Sequence, residues 1–135
     1  MLKLIIGVKG TGKTKTLIGM VNDAVAASKG SVICIEKGDK LRYDVKYQAR
    51  LIDTNEYFID DAQSLFGFVS GIFASNHDVT DLFIDSALKV CQNDLVAFDK
   101  FLEEMNALVE KLNINVVMTS SLAVEDASET VKKYV

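Results

Sequence analysis

Proline is absent from the 135 residues, and so are repeats, low-complexity tracts and any stretch composed like a linker. A single domain over residues 1–135 is therefore expected, a length that suits one folding unit and is short for two. Arginine is scarce: Arg42 and Arg50 are the only two among fifteen basic residues, and the net charge is −4. That balance argues against a broad face for a nucleic-acid backbone, which needs a basic patch, so nucleic acid is not the expected partner. Cys34 and Cys91 lie far apart among apolar residues with no C-x-x-C partner, and read as buried free thiols. Together with the lone His77 they make a poor zinc site. No apolar run approaches the roughly 18 residues of a membrane span, and Met1 to Ile6 is broken by Lys3, too short for a signal peptide. Reduced cysteines and no span make the cytoplasm the expected compartment.

What remains is a chain with 49% hydrophobic and 25% charged residues, the composition of a soluble globular protein. Leu2 to Ile6 is a short apolar run ended by Gly7, the pattern of a buried parallel strand. From Lys13 the period becomes helical through Leu17, Val21, Ala24 and Val25, with Ser28-Lys29-Gly30 as a glycine C-cap signal. Ser31 to Ile35 is a second β-branched run. Val45, Tyr47, Ala49 and Leu51 then alternate with polar residues, predicting an edge strand. Asp60 with Gln63 predicts a helix start, and Leu65, Val69 and Phe73 continue it. Leu82 to Ile84 is a third buried run. A long amphipathic helix follows over Leu95 to Leu112, then a strand over Ile114 to Thr119. Val124, Ala127, Val131 and Tyr134 suit a last helix. Alternation of this kind predicts an α/β fold, a parallel sheet of about five strands with helices on both faces.

Gly7 to Thr14 reads Gly-Val-Lys-Gly-Thr-Gly-Lys-Thr and fits G-x-x-x-x-G-K-[ST], the P-loop pattern. A buried strand runs into it and an amphipathic helix leaves it, which is the context the motif requires. Glycines at 7, 10 and 12 let the backbone curl so that N–H groups point at phosphate oxygens, while the helix N-terminus adds unpaired donors and positive dipole. Lys9, Thr11 and their neighbours complete the loop. Lys13 is placed to reach the β- and γ-phosphates, and the Thr14 hydroxyl to ligate Mg2+.

Such a site needs a carboxylate at the end of a neighbouring strand. Asp85 follows Leu82-Phe83-Ile84 and is the candidate metal ligand, with a helix cap over Asp85-Ser86 as the alternative. Hydrolysis also needs a group that orients water. Glu36 leaves the second strand at the same sheet edge, and is either that catalytic group or a solvated turn residue.

With these stretches in view, the chain resembles the RecA-like group of P-loop ATPases, including KaiC-like and replicative-helicase-like members. The resemblance rests on Gly7 to Thr14, Val32 to Glu36, Leu82 to Ser86, and Asn113 to Ser121 after a long helix. It implies that Lys13 and Glu36 are catalytic, that Asp85 and Thr14 hold Mg2+, and that one of Thr119, Ser120 and Ser121 senses the γ-phosphate. ATP rather than GTP is also what the resemblance implies. The sequence departs from the group in offering hydroxyls at the sensor and no arginine finger in cis, so slow hydrolysis, activated by self-assembly or a larger protein partner, is expected. Arg42, Arg50, Lys132 and Lys133 are the basic residues that could act across an interface. Two alternatives stand beside it. Asp39 to Tyr43 is similar to a segment of thymidine kinases, which implies nucleoside phosphorylation, although Asp85 is followed by serine and the zinc cysteines are missing. A nucleotide-responsive interaction module without turnover is the other.

Overall fold

The computed structural model describes residues 1–135. Five segments form strands, four of them built around apolar runs and the short edge strand β3 half charged: β1 (Leu2–Gly7), β2 (Ser31–Glu36), β3 (Arg50–Asp53), β4 (Val79–Ile84) and β5 (Asn115–Ser121). All neighbours pair in parallel, in the order β1-β5-β4-β2-β3. The helices are α1 (Lys13–Ala27), α2 (Ala62–Ser75), α3 (Ala87–Val90), α4 (Leu95–Leu112) and α5 (Glu129–Lys132). This is the expected α/β architecture. No helix is long and apolar enough to cross a membrane.

Strand alternation divides the interior into two unequal cores. On one face Leu4, Ile35, Leu82, Ile84, Val116 and Met118 meet α2, α3 and α4 in a cluster of 26 buried residues. On the other, Val32, Cys34, Phe83 and Val117 meet Leu17 and Val21 of α1 in a cluster of nine. Because β1, β2, β4 and β5 run the same way, Gly7, Glu36, Asp85 and Ser121 all arrive at one edge of the sheet. That edge carries the site.

Several boundaries differ from the sequence expectation for local reasons. The edge strand is confined to Arg50–Asp53. Val45 and Ala49 are buried instead in a turn-rich segment, because the Leu41 carbonyl accepts the amides of Asp44 and Val45 and the Lys46 carbonyl accepts that of Ala49. Tyr47, on the same expected face, is 91% exposed. Helix α2 starts one residue late, since Asp61 and Ser64 form the reciprocal capping box. The expected last helix is split into a 3-10 turn, Val124–Asp126, and the short α5, because the Ser128 hydroxyl caps a new start by accepting from Val131 N–H. Gly30 does not cap α1, whose C-cap is Ser28 in extended geometry. Its role is close approach: a Cβ there would lie 2.0 Å from the Asp78 carbonyl oxygen.

Candidate functional site

The loop between β1 and α1 turns through Gly10 (φ 86°) and Gly12 (φ 83°), left-handed conformations that favour glycine over any L-residue. Gly12 is the N-cap of α1 and provides no side-chain cap, so the first amides of this 15-residue helix keep their donors free. Lys13 Nζ donates to the Val8 carbonyl at 2.8 Å and lies 3.4 Å from Thr11 Oγ1, while Thr11 Oγ1 donates to the same carbonyl at 2.8 Å. The ammonium is thus folded over the loop that its own backbone begins to leave.

Across from the loop, Asp85 continues β4, its amide donating to the Ile35 carbonyl at 2.8 Å. Its carboxylate caps nothing. Oδ1 accepts from Thr14 Oγ1 at 3.1 Å and from Thr119 Oγ1 at 2.7 Å, and Oδ2 is 3.3 Å from Thr14 Oγ1. Ser86 occupies the N-cap of α3 in a left-handed conformation (φ 59°) without a side-chain cap bond, and its amide donates to Thr119 Oγ1 at 2.8 Å. Of the three hydroxyls ending β5, Thr119 and Ser121 therefore face the cleft. Ser120 points the opposite way, accepting from Leu88 N–H at 3.2 Å and donating to the Thr119 carbonyl at 2.8 Å.

These groups enclose a cleft of about 310 Å³, lined by Lys9, Gly10, Gly12, Lys13, Thr14, Lys15, Lys40, Leu41, Asp85, Ser86, Lys89, Thr119 and Ser121. Five lysines face one carboxylate, and Leu41 is the only hydrophobic wall. In a protein of net charge −4 this is a sharp local reversal, and focused positive potential of this kind attracts polyanions. The donor set at its floor, a hydroxyl and a carboxylate, is hard oxygen. It suits Mg2+, which takes one or two protein oxygens and completes its octahedron with water and phosphate.

Glu36 is placed differently from the rest. It is 2% exposed, Oε1 accepts Lys40 N–H at 3.0 Å and Oε2 accepts Leu41 N–H at 3.1 Å. Burial pushes its carboxyl above the ordinary value of 4.5, the two amides oppose this, and the charges of Asp85 and Asp53 add to it. Neither a solvated turn residue nor a wall of the lysine-lined cleft, it faces a neighbouring hollow of about 210 Å³ with Asp39, Arg42, Arg50, Asp53 and Glu56. The Asp39-to-Tyr43 segment folds on itself at that rim, with Arg42 3.4 Å from Asp39 and stacked 4.8 Å over Tyr43. Lys132 and Lys133 pair with Glu129 and Glu103, each at 3.1 Å.

Sequence reasoning placed the loop and Asp85 together but missed Lys40 and Lys89. Both follow the carboxyl ends of strands, β2 and β4, where α/β sheets bind ligands, and that position was the available signal. No protein-family model matches the chain, and a search of curated proteins finds no match either.

Proposed function

We propose that this protein binds Mg–ATP through the loop Gly7 to Thr14 and hydrolyses it slowly. The observation that carries the reading is the meeting of Thr14 Oγ1 and the Asp85 carboxylate at 3.1 Å beneath a lysine-lined loop. In this reading the free amides at the start of α1 and the Lys13 ammonium cradle the phosphates, and Thr14 and Asp85 hold the metal. Bound there, Mg2+ would neutralise charge on the β- and γ-oxygens. Glu36 is engaged by the amides of Lys40 and Leu41 and lines the neighbouring hollow rather than the lysine-lined cleft, which is why turnover is expected to be slow. The buried, unpaired Cys34 and Cys91 fit a reducing, cytoplasmic setting.

Titration with a fluorescent ATP analogue in Mg2+ tests binding: Lys13→Ala should weaken it at least tenfold, and an unchanged affinity would remove the loop from the reading. Phosphate release tests turnover. Nucleosides added to the same assay test the kinase alternative, since a phosphorylated nucleoside would displace the hydrolase reading. The engaged carboxylate of Glu36 favours one second reading, a nucleotide-responsive module without turnover that assembles with itself or a protein partner. It predicts a change of oligomeric state with a non-hydrolysable ATP analogue and no phosphate release.

A further inference from the structure

We infer that Lys40 is a contact for the terminal phosphate, supplied within the chain, and that Glu36 is the positioning residue that holds it there. The inference rests on the Mg–ATP reading and adds to it the group that distinguishes a triphosphate from a diphosphate. Lys40 is remote from the P-loop in sequence yet lines the same cleft. Its ammonium is exposed, and none of the ion pairs in the molecule involves it.

Sheet order says which phosphate it would meet. β1 brings the P-loop, β4 brings Asp85, and β2 lies beyond β4 on the side away from β1. If Thr14 and Asp85 hold the metal that accompanies the terminal phosphate, that phosphate would lie on the Asp85 side of the cleft, next to the loop that leaves β2. Lys40 sits on that loop.

The loop is also held more firmly than its turns suggest. Both oxygens of Glu36 accept its amides, at Lys40 and Leu41. Leu41 is 3% exposed and packs in the core beneath α1. Asn22 of α1 clasps the far side, its Nδ2 donating to the Asp44 carbonyl at 2.9 Å and its Oδ1 accepting Lys46 N–H at 2.9 Å. The lysine is thus referenced to the same helix whose N-terminus forms the phosphate loop. A buried carboxylate is costly unless its lone pairs are satisfied, and here both oxygens are used to fix this loop.

The test compares the affinities of a non-hydrolysable ATP analogue and of ADP, each with Mg2+, by calorimetry. Lys40→Gln is expected to weaken the triphosphate about tenfold, the size of one charge-assisted hydrogen bond, and to leave ADP within about twofold. Lys40→Arg should restore most of the preference. Glu36→Gln, which keeps one acceptor of two, should shift the ratio in the same direction with ADP affinity retained. Wild-type preference for triphosphate persisting in Lys40→Gln would overturn the inference while leaving the binding site intact. Failure of the wild type to bind either nucleotide would instead overturn the Mg–ATP reading and this one with it. Because Lys40 is a surface side chain, its variants decide the matter even if Glu36→Gln folds poorly.

Discussion

Thr119 and Asp85 are joined by a hydrogen bond of 2.7 Å, and the same threonine hydroxyl accepts the amide of Ser86 at 2.8 Å. One side chain on β5 therefore fixes both the carboxylate and the backbone that follows β4. This matters because β5 lies between β1 and β4, so the Gly7 to Thr14 loop and Asp85 come from strands that do not touch. Thr119 spans the gap. It leaves Oδ2 of Asp85 with only the 3.3 Å contact from Thr14.

Replacing Thr119 by valine keeps the shape and removes the hydroxyl. Loss of a bond to a charged group, with Ser86 N–H left unpaired, should cost about 2 kcal/mol in urea denaturation. If Asp85 holds Mg2+ as proposed, groups that orient a metal ligand affect metal affinity about 10- to 100-fold, so nucleotide affinity in Mg2+ should fall by about tenfold, while affinity in EDTA should not change. Equal losses with and without Mg2+ would show that Thr119 does not act through Asp85.

Glu36 gives a pH signature. Its folded-state carboxyl is raised by burial above the ordinary 4.5, so the folded protein keeps this proton to higher pH than the unfolded chain. Its contribution to stability is present below 4.5 and is lost as pH rises through the folded value. The stability of wild type relative to Glu36→Gln should therefore decline as pH is raised from about 4 to 8, read from denaturation midpoints. A difference that stays level, or grows with pH, contradicts the assigned burial.

Two glycines should respond oppositely to alanine. At Gly30 the new methyl would meet the Asp78 carbonyl oxygen at 2.0 Å and Thr80 Cγ2 at 2.9 Å, forcing the start of β2 away from that of β4. A loss of about 1–3 kcal/mol is expected. Gly67 lies in α2 with open space where its Cβ would be, and alanine should gain about 0.5–1 kcal/mol. Thermal melts of the two variants check both signs.

The cysteines should be silent. Burial first, then the charges of Glu36 and Asp85, push the Cys34 thiol up to about 12. Burial, then Asp61 and Asp94, do the same to Cys91. At pH 8 the thiolate fraction is then about 10⁻⁴, and iodoacetamide should label neither thiol until denaturant is added. Rapid labelling of the native protein by mass spectrometry would contradict the placement of both.

The sequence made the strands easy to find because each of β1, β2, β4 and β5 contains an apolar run too short for a helix and bounded by polar or glycine residues. The loop and Asp85 were equally visible, since both follow such runs directly. Thr119, Ser120 and Ser121 were not separable; the two-residue period of a strand sets Ser120 apart from the other two, and only the hydrogen bond to Asp85 singles out Thr119. The segment from Lys37 to Ala49 misled for a physical reason. Val45 and Ala49 are spaced as strand residues would be, but turns built on local carbonyls bury them with no partner strand. The double acceptance by Glu36 was hidden as well, because nothing in Glu-Lys-Gly-Asp-Lys says that the chain will fold back onto its own carboxylate. Helix α3, four residues long, is below the length at which periodicity carries a signal.

The two cores of the sheet are unequal, nine buried residues beneath α1 and 26 on the opposite face. Protection of backbone amides from solvent exchange follows such local apolar support, so the layer holding α1 and the 37–49 segment is the one that should breathe first. That layer also carries the candidate phosphate cradle and Lys40. A ligand bound there would act as ballast for the lighter half of the molecule, slowing exchange in α1 while leaving α2 and α4 almost untouched.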